Sequence, residues 1–237
     1  MPRKKTYFNW SSGKDSARAL YELLKSDEHR VERLLTTVNA AYDRVSMHGL
    51  RRALLEEQIK AIGIPNLVVE LPEKPTNALY ESAMRQAVES LRREGFECAA
   101  FGDIFLEDLR QYRERQLEPL GMRAIFPIWK RDSKTLIEEF IDLGFKAVVI
   151  CANADLLERE FLGREIDKNF LNDLPKNIDP CGENGEFHTF CFDAPYFKFA
   201  VEFSIGEVVL REYDCDGDKS RFWFCDLIPK SDEQGQT

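Results

Sequence analysis

Trp10-Ser11-Ser12-Gly13-Lys14-Asp15-Ser16 is the stretch whose reading decides the fold. Ahead of it, Thr6-Tyr7-Phe8-Asn9-Trp10 is rich in aromatics and reads as a short buried strand. Behind it, Ala17 to Leu24 has helical composition and period. A strand that feeds a helix through small residues aims successive backbone N–H groups, and the positive end of the helix dipole, at one point. Gly13 lacks a Cβ, so an anion can approach the backbone there, and the hydroxyls of Ser11, Ser12 and Ser16 add donors. The stretch reads as an oxyanion cradle. It is not a Walker A loop, which needs Gly-x-x-x-x-Gly-Lys-Ser/Thr; Asp15 stands where that motif has its hydroxyl. A carboxylate beside phosphates is repulsive unless a divalent cation bridges the two, so Asp15 is the expected metal ligand.

Outward from the cradle, strands and helices alternate. Val31–Val38 reads as a strand, and a helix is expected from His48-Gly49 to about Ile62, ended by Gly63 and Pro65. Leu67–Leu71 is a third strand, Thr76–Glu94 a long amphipathic helix, and Cys98–Phe101 a fourth strand ending at Gly102-Asp103. Such alternation predicts α/β architecture: a doubly wound parallel sheet, with ligands at the carboxyl ends of its strands. There the cradle, the loop carrying His48 and the Gly102-Asp103 turn can converge. On the next helical stretch the charges of Arg110 and Arg113 are explained mostly as a solvated face, and Asp103 is the stronger candidate.

Beyond residue 122 the composition changes, and a second, smaller α+β domain is expected over 123–230 after a nucleotide-binding domain over 1–122. Its pieces are a helix over Ser133–Leu143, a strand over Lys146–Cys151, and helical segments near Leu156–Phe161 and Asp167–Leu174. Four strands follow, Phe187–Phe192, Phe197–Ile205, Glu207–Tyr213 and Arg221–Ile228, with Gly206 as a turn between the middle two. The polar residues 231–237 read as a disordered tail.

Hydrophobic content of 43% and charged content of 32% are those of a soluble globular protein. A net charge of −9 argues against nucleic acid as a partner. No run is apolar and long enough to span a bilayer, and the basic Met1–Lys5 has no apolar region behind it, so a cytoplasmic location is expected. None of the six cysteines forms a C-x-x-C pair, which removes the usual zinc and dithiol signals; Cys181 alone has polar neighbours.

The second chemical stretch is Asp179-Pro180-Cys181-Gly182-Glu183-Asn184-Gly185-Glu186-Phe187-His188-Thr189. Proline and two glycines set a fixed loop, and Glu183 and Glu186 offer hard oxygens for a cation or a base for an amine. Exposed acids at the entry to a hairpin would look the same.

Ser11-Ser12-Gly13-Lys14-Asp15-Ser16 resembles the Ser-Gly-Gly-x-Asp-Ser PP-loop of N-type ATP pyrophosphatases, with Ser12 in place of the first glycine. Gly182-Glu183-Asn184-Gly185-Glu186-Phe187-His188-Thr189 resembles the Gly-Glu-x-Gly-Glu-Tyr-Glu-Thr signature of the diphthine–ammonia ligase family, with Phe187 and His188 replacing Tyr and Glu. Arg44–Gly49 and Gly102–Glu114 are similar to further stretches of that family. The resemblance implies a Rossmann-like PP-loop (HUP) fold and ATP-dependent amide formation with ATP and Mg²⁺. A substrate carboxylate, carried by a small molecule or a protein, would be adenylated with loss of pyrophosphate, and ammonia would displace AMP.

On that resemblance Lys14, Asp15, Glu183 and Glu186 are catalytic. Ser11, Ser12, Gly13, Lys14, Asp15, Ser16, His48, Gly102 and Asp103 bind nucleotide. Asp103, Gly182, Glu183, Gly185, Glu186, His188 and Thr189 face the acceptor. Two rivals stand beside this reading: sulfur transfer to tRNA through Cys181, and a nucleotide-binding regulatory module without turnover. Association into a homo-oligomer stays open at this stage.

Overall fold

The computed structural model describes residues 2–46, 48–215 and 218–230. The chain forms two compact units. The first comprises Met1–Ser11, Asp15–Ser46 and Gly63–Arg131; the second comprises Ser12–Lys14, Met47–Ile62 and Asp132–Thr237.

The first unit is built on a mostly parallel six-stranded sheet. Its strands are β1 (Lys4–Asn9), β2 (His29–Asn39), β3 (Arg44–Val45), β4 (Asn66–Leu71), β5 (Cys98–Ala100) and β6 (Arg123–Ile125). β1 lies between β2 and β5; β4 pairs parallel with β2, and β6 parallel with β5. Only the two-residue β3 runs antiparallel, against β2. The chain therefore moves outward from β1 through β2 to β4, then returns to the other side of β1. The order reverses between β1 and β5, which makes their carboxyl ends a topological switch point.

Helices α1 (Lys14–Leu24), α3 (Asn77–Arg93) and α4 (Glu107–Leu117) connect these strands, with α2 (Arg52–Ile62) between β3 and β4 in sequence. Thr76 caps α3, its side chain accepting from Leu79 N at 3.2 Å, a contact typically worth about 1 kcal/mol. Tyr7, Leu35, Val88, Leu91, Phe96 and Phe101 belong to one buried cluster of this unit. Tyr7 and Phe96 meet edge to face at 6.3 Å between ring centroids. Each such fully buried side chain contributes roughly 1.5–3 kcal/mol.

The second unit carries a four-stranded antiparallel sheet in the order β8-β7-β10-β9. The strands are β7 (Lys146–Asn153), β8 (Phe187–Asp193), β9 (Phe203–Cys215) and β10 (Asp218–Pro229). β7 is central and nearly continuously apolar, as a strand covered on both faces must be. Helices α5 (Ser133–Asp142) and α6 (Lys168–Asp173) start on Asp132 and Asp167, whose carboxylates accept from Thr135 N and Phe170 N. α2 belongs to this unit as well; Arg51, just before it, grips Asp226 of β10 through two hydrogen bonds of 3.1 and 2.6 Å.

Four expectations need correction. The helix expected from His48 starts only at Arg52, because Gly49 adopts φ 73° and Leu50 N donates to His48 Nδ1 at 3.4 Å. Gly206 is not a turn: it lies within the single strand β9, where the pairing with β10 shifts register opposite Asp226. Residues 197–201 are not strand; Phe197 N and Val201 N donate to Ala194 O and Phe192 O in a turn. The segment Leu156–Phe161 holds only a three-residue 3-10 turn, Arg159–Phe161. The expected tail, 231–237, lies outside the described residues.

Candidate functional site

In the first unit, the carboxyl ends of β1 and β5 are tied together by Asn9, whose Nδ2 donates to Ala100 O at 3.2 Å. The chain then passes through Trp10, held by Leu35 O and by the Thr36 hydroxyl. The hydroxyls of Ser11 and Ser16 lie 2.6 Å apart, and Ser11 N donates to Ser16 Oγ at 3.3 Å. Asp15 sits half-buried in the first turn of α1. Gly102 presses on the same turn: a Cβ there would stand 2.9 Å from Ser16 N and 3.1 Å from the Asp15 carbonyl carbon. No larger residue fits without displacing backbone.

Asp103 follows, but its carboxylate is engaged by the Arg113 fork at 2.6 and 3.0 Å. Arg113 in turn lies 4.3 Å above the Phe101 ring. Arg110 is paired with Glu114 at 2.9 Å and stacks near Phe126 and Trp129. Asp103 is thus an anchored residue at the end of β5, and Arg113 is what anchors it.

In the second unit, Ser12–Lys14 are fastened to β8 and to the loop before it. Ser12 O accepts from Cys191 N at 2.9 Å and from Gln58 Nε2 at 3.0 Å, and Gln58 Nε2 also donates to Cys191 O at 2.6 Å. Ser12 is fully buried at φ 67°, and its Oγ has no hydrogen-bond partner among the described residues. Half-buried Gly13 leads into the helix. Lys14 N donates to Thr189 Oγ1 at 3.1 Å, and Lys14 Nζ donates to Cys181 O. The Lys14 ammonium also stands 5.3 Å from the Phe187 ring centroid, and the side chain is 2% exposed. Stretches about 170 residues apart in sequence are therefore one local structure.

The acid-bearing loop is held from within. Asp179 Oδ1 accepts from Cys181 N and Glu183 N at 3.0 and 3.2 Å, and Asp179 O accepts from Gly182 N at 2.8 Å. Gly182 has φ 68°, and a Cβ there would lie 2.8 Å from Phe187 O, so the position is closed to side chains. Gly185 N donates to Gly182 O at 3.1 Å. Buried Glu186 spends its carboxylate on the loop: Oε1 accepts from Asp179 N and Asn184 Nδ2, Oε2 from Asn184 N, all at 2.9–3.1 Å. Glu183 is half-buried.

The His188 ring lies 6.5 Å from that of buried His48. Burial, assisted by the charge of Lys14, lowers the His188 pKa to about 4, so its imidazole is neutral at physiological pH. Cys181 is buried, and its Sγ donates to Ser133 O at 3.4 Å. A sulfur carrier needs an accessible thiolate, and the Cys181 side chain is buried.

Among the described residues no three His, Cys, Asp or Glu side chains gather into a metal cage. Mg²⁺ usually takes one or two carboxylates together with substrate phosphates and water. Half-buried Asp15 beside the Ser12–Lys14 turn suits a cation that arrives with a nucleotide, not one caged by protein alone.

A family model for the diphthamide synthase N-terminal domain matches residues 4–124, and one for the diphthamide synthase C-terminal domain matches residues 132–226. The chain belongs to the diphthamide synthase family. Both loops of this family member fall inside the matched segments, Ser11–Ser16 in the first and Asp179–Thr189 in the second. The chain is similar to the diphthine–ammonia ligase of Schizosaccharomyces pombe, 29% identical over 117 residues, covering 48% of this chain and 19% of that protein. To the Bos taurus enzyme of that name it is 28% identical over 152 residues, covering 59% and 57%. With the Mus musculus enzyme it shares 25% identity over 204 residues, covering 81% and 75%. It thus spans less than two thirds of the length of the first two of these relatives. No helix among its described residues is long and apolar enough to cross a membrane.

Gln58 was not legible as a site residue, although a signal existed: it sits four residues after Leu54 on the buried face of α2, a polar side chain where an apolar one belongs. Arg113 carried only the signature of a charged helix face.

Proposed function

We propose that this diphthamide synthase family member is an ATP-dependent carbon–nitrogen ligase that cleaves ATP to AMP and pyrophosphate. The observation that carries the reading is the fastening of Lys14 to Thr189 and Cys181, which joins the anion-binding turn to the acid-bearing loop. An orphaned, fully buried Ser12 Oγ beside that turn is a donor suited to an oxyanion.

In this scheme a substrate carboxylate oxygen attacks the α-phosphorus and the bond to the bridging oxygen of pyrophosphate breaks. Backbone N–H groups of the turn, with Lys14, offset the charge gathering on the leaving pyrophosphate. Mg²⁺ held at Asp15 would supply further charge neutralisation on the phosphates. Ammonia then adds to the acyl carbon, AMP leaves, and the proton lost from nitrogen needs an acceptor. Glu183 is assigned that proton. Glu186, already bound by three donors of its own loop, acts by positioning Glu183. Gly102 and Asp103 shape the end of β5 for the nucleotide. His48 and neutral His188 line the acceptor side together with Gly182, Gly185 and Thr189.

The same proposal takes residues 1–122 as the nucleotide domain and 123–230 as the acceptor domain. Its partners are ATP, ammonia and a carboxylate acceptor in the cytoplasm. The test uses a panel of acceptor carboxylates labelled with ¹⁸O, incubated with ATP, Mg²⁺ and ammonium. Mass spectrometry should find an amide and AMP carrying one labelled oxygen; amide formed with unlabelled AMP contradicts the adenylate.

A further inference from the structure

Within the second unit, β9 forms one border of the antiparallel sheet: it pairs with β10 along one side and with no strand among the described residues along the other. It runs for 13 residues, Phe203–Cys215, and holds neither lysine nor proline, the residues with which proteins commonly blunt an open strand edge. The edge carries apolar side chains instead: Ile205, Leu210 and Tyr213 are 50%, 40% and 43% exposed. Val208 and Ile205 are three residues apart while their partners Cys225 and Leu227 are two apart, so a bulge sits at Gly206-Glu207. From Val208 to Cys215 the pairing with β10 is regular.

An antiparallel strand turns the N–H and C=O of every second residue outward. When one β9 pairs with another, opposite residues are therefore an even number of positions apart, and one residue lies on the two-fold axis. The charges choose that residue. A two-fold at Glu207, Arg211 or Glu212 sets like charges against each other, which destabilises a pair. A two-fold at Val208 or Leu210 leaves Glu207 and Arg211 opposite uncharged residues. At Val209 the pattern is self-complementary: Glu207 of each copy is opposite Arg211 of the other, Val208 is opposite Leu210 twice, and Val209 is opposite itself. Glu207 and Arg211 are both exposed and have no ion pair among the described residues; Arg211 rests 5.7 Å from the Phe224 ring centroid.

We propose that β9 is a dimer interface and that its occupant is the β9 of a second copy of this chain, paired antiparallel about a two-fold axis at Val209. The two four-stranded sheets then join into one continuous sheet, with main-chain hydrogen bonds supplying affinity and the Glu207–Arg211 pairs fixing register. No residue of β9 takes part in the reaction proposed above, so the pairing stands or falls independently of the ligase reading.

Sedimentation equilibrium on the full chain reads the dimer dissociation constant. The unaltered protein should be a dimer. Glu207→Arg and Arg211→Glu, both at exposed positions, should each raise the constant about tenfold or more by setting like charges across the axis, with the far-UV circular dichroism of each variant unchanged. An equimolar mixture of the two variants should dimerise as the unaltered protein does, because every charge of one copy then meets its opposite on the other. A monomer at every concentration, a dimer indifferent to either substitution, or a mixture no tighter than the single variants would each overturn the proposal.

Discussion

Ser12 is the residue at which local conformation and chemistry conflict. It is held at φ 67° with a buried hydroxyl that finds no partner among the described residues, and the left-handed region costs an L-residue roughly 1–2 kcal/mol. Ser12→Gly should therefore stabilise the protein by about 1 kcal/mol, raising Tm by ~2–4 °C. Calorimetry checks this; an unchanged or lowered Tm would show that the hydroxyl contributes more than the strain removes. Asp15→Asn should lower turnover steeply across a magnesium titration while leaving the denaturant midpoint nearly unchanged. Equal activity of the variant at every magnesium concentration would remove Asp15 from the site. His188 gives a pH signature. Its folded-state pKa lies at about 4, below the ordinary value, so as pH falls the unfolded chain takes up the proton first. The associated stability is fully present above about pH 6.5 and is lost as pH falls toward about 4. His188→Asn should flatten the fall in denaturant midpoint across that window; a curve parallel to that of the unaltered protein would contradict the assignment.

At the level of elements, the alternation of periods was legible because β2, β4 and β5 carry apolar runs and α1, α2 and α3 are amphipathic. What escaped was anything set by partners that residue type and spacing do not announce, near in sequence or far. Gly206 reads as a turn because nothing local announces that β10 continues past it with a register shift. The late start of α2 rests on backbone at His48 and Gly49 that composition does not encode. Likewise Glu186 reads as a catalytic acid, while its loop spends both oxygens on Asp179 and Asn184. Within the second unit, the fastening of Lys14 to Thr189 of β8 is the most consequential unread contact. Thr189→Val removes the acceptor for Lys14 N and should cost about 1–3 kcal/mol. Thr189→Ser should restore most of that stability and the activity lost with it. Denaturant unfolding beside initial rates measures both, and wild-type behaviour of the valine variant would show that the contact matters to neither.

For the whole chain, the two motifs proposed to carry the chemistry could each be recognised by residue type and spacing, yet neither discloses that Lys14 is held by Thr189 and Cys181. Lys14 N meets Thr189 across 175 positions, and only the fold reports it. The net charge of −9 agrees with the proposal that anion binding draws on oriented backbone and one lysine, not on a basic surface. The central claim is that this turn grips pyrophosphate and leaves the α-phosphate open. The most direct measurement is ³¹P NMR of ATP consumed by the full chain with Mg²⁺, ammonium and a panel of carboxylates. AMP and pyrophosphate in equal amounts are predicted, with Lys14→Met slowing their appearance by orders of magnitude; ADP and orthophosphate as the sole products would contradict the account.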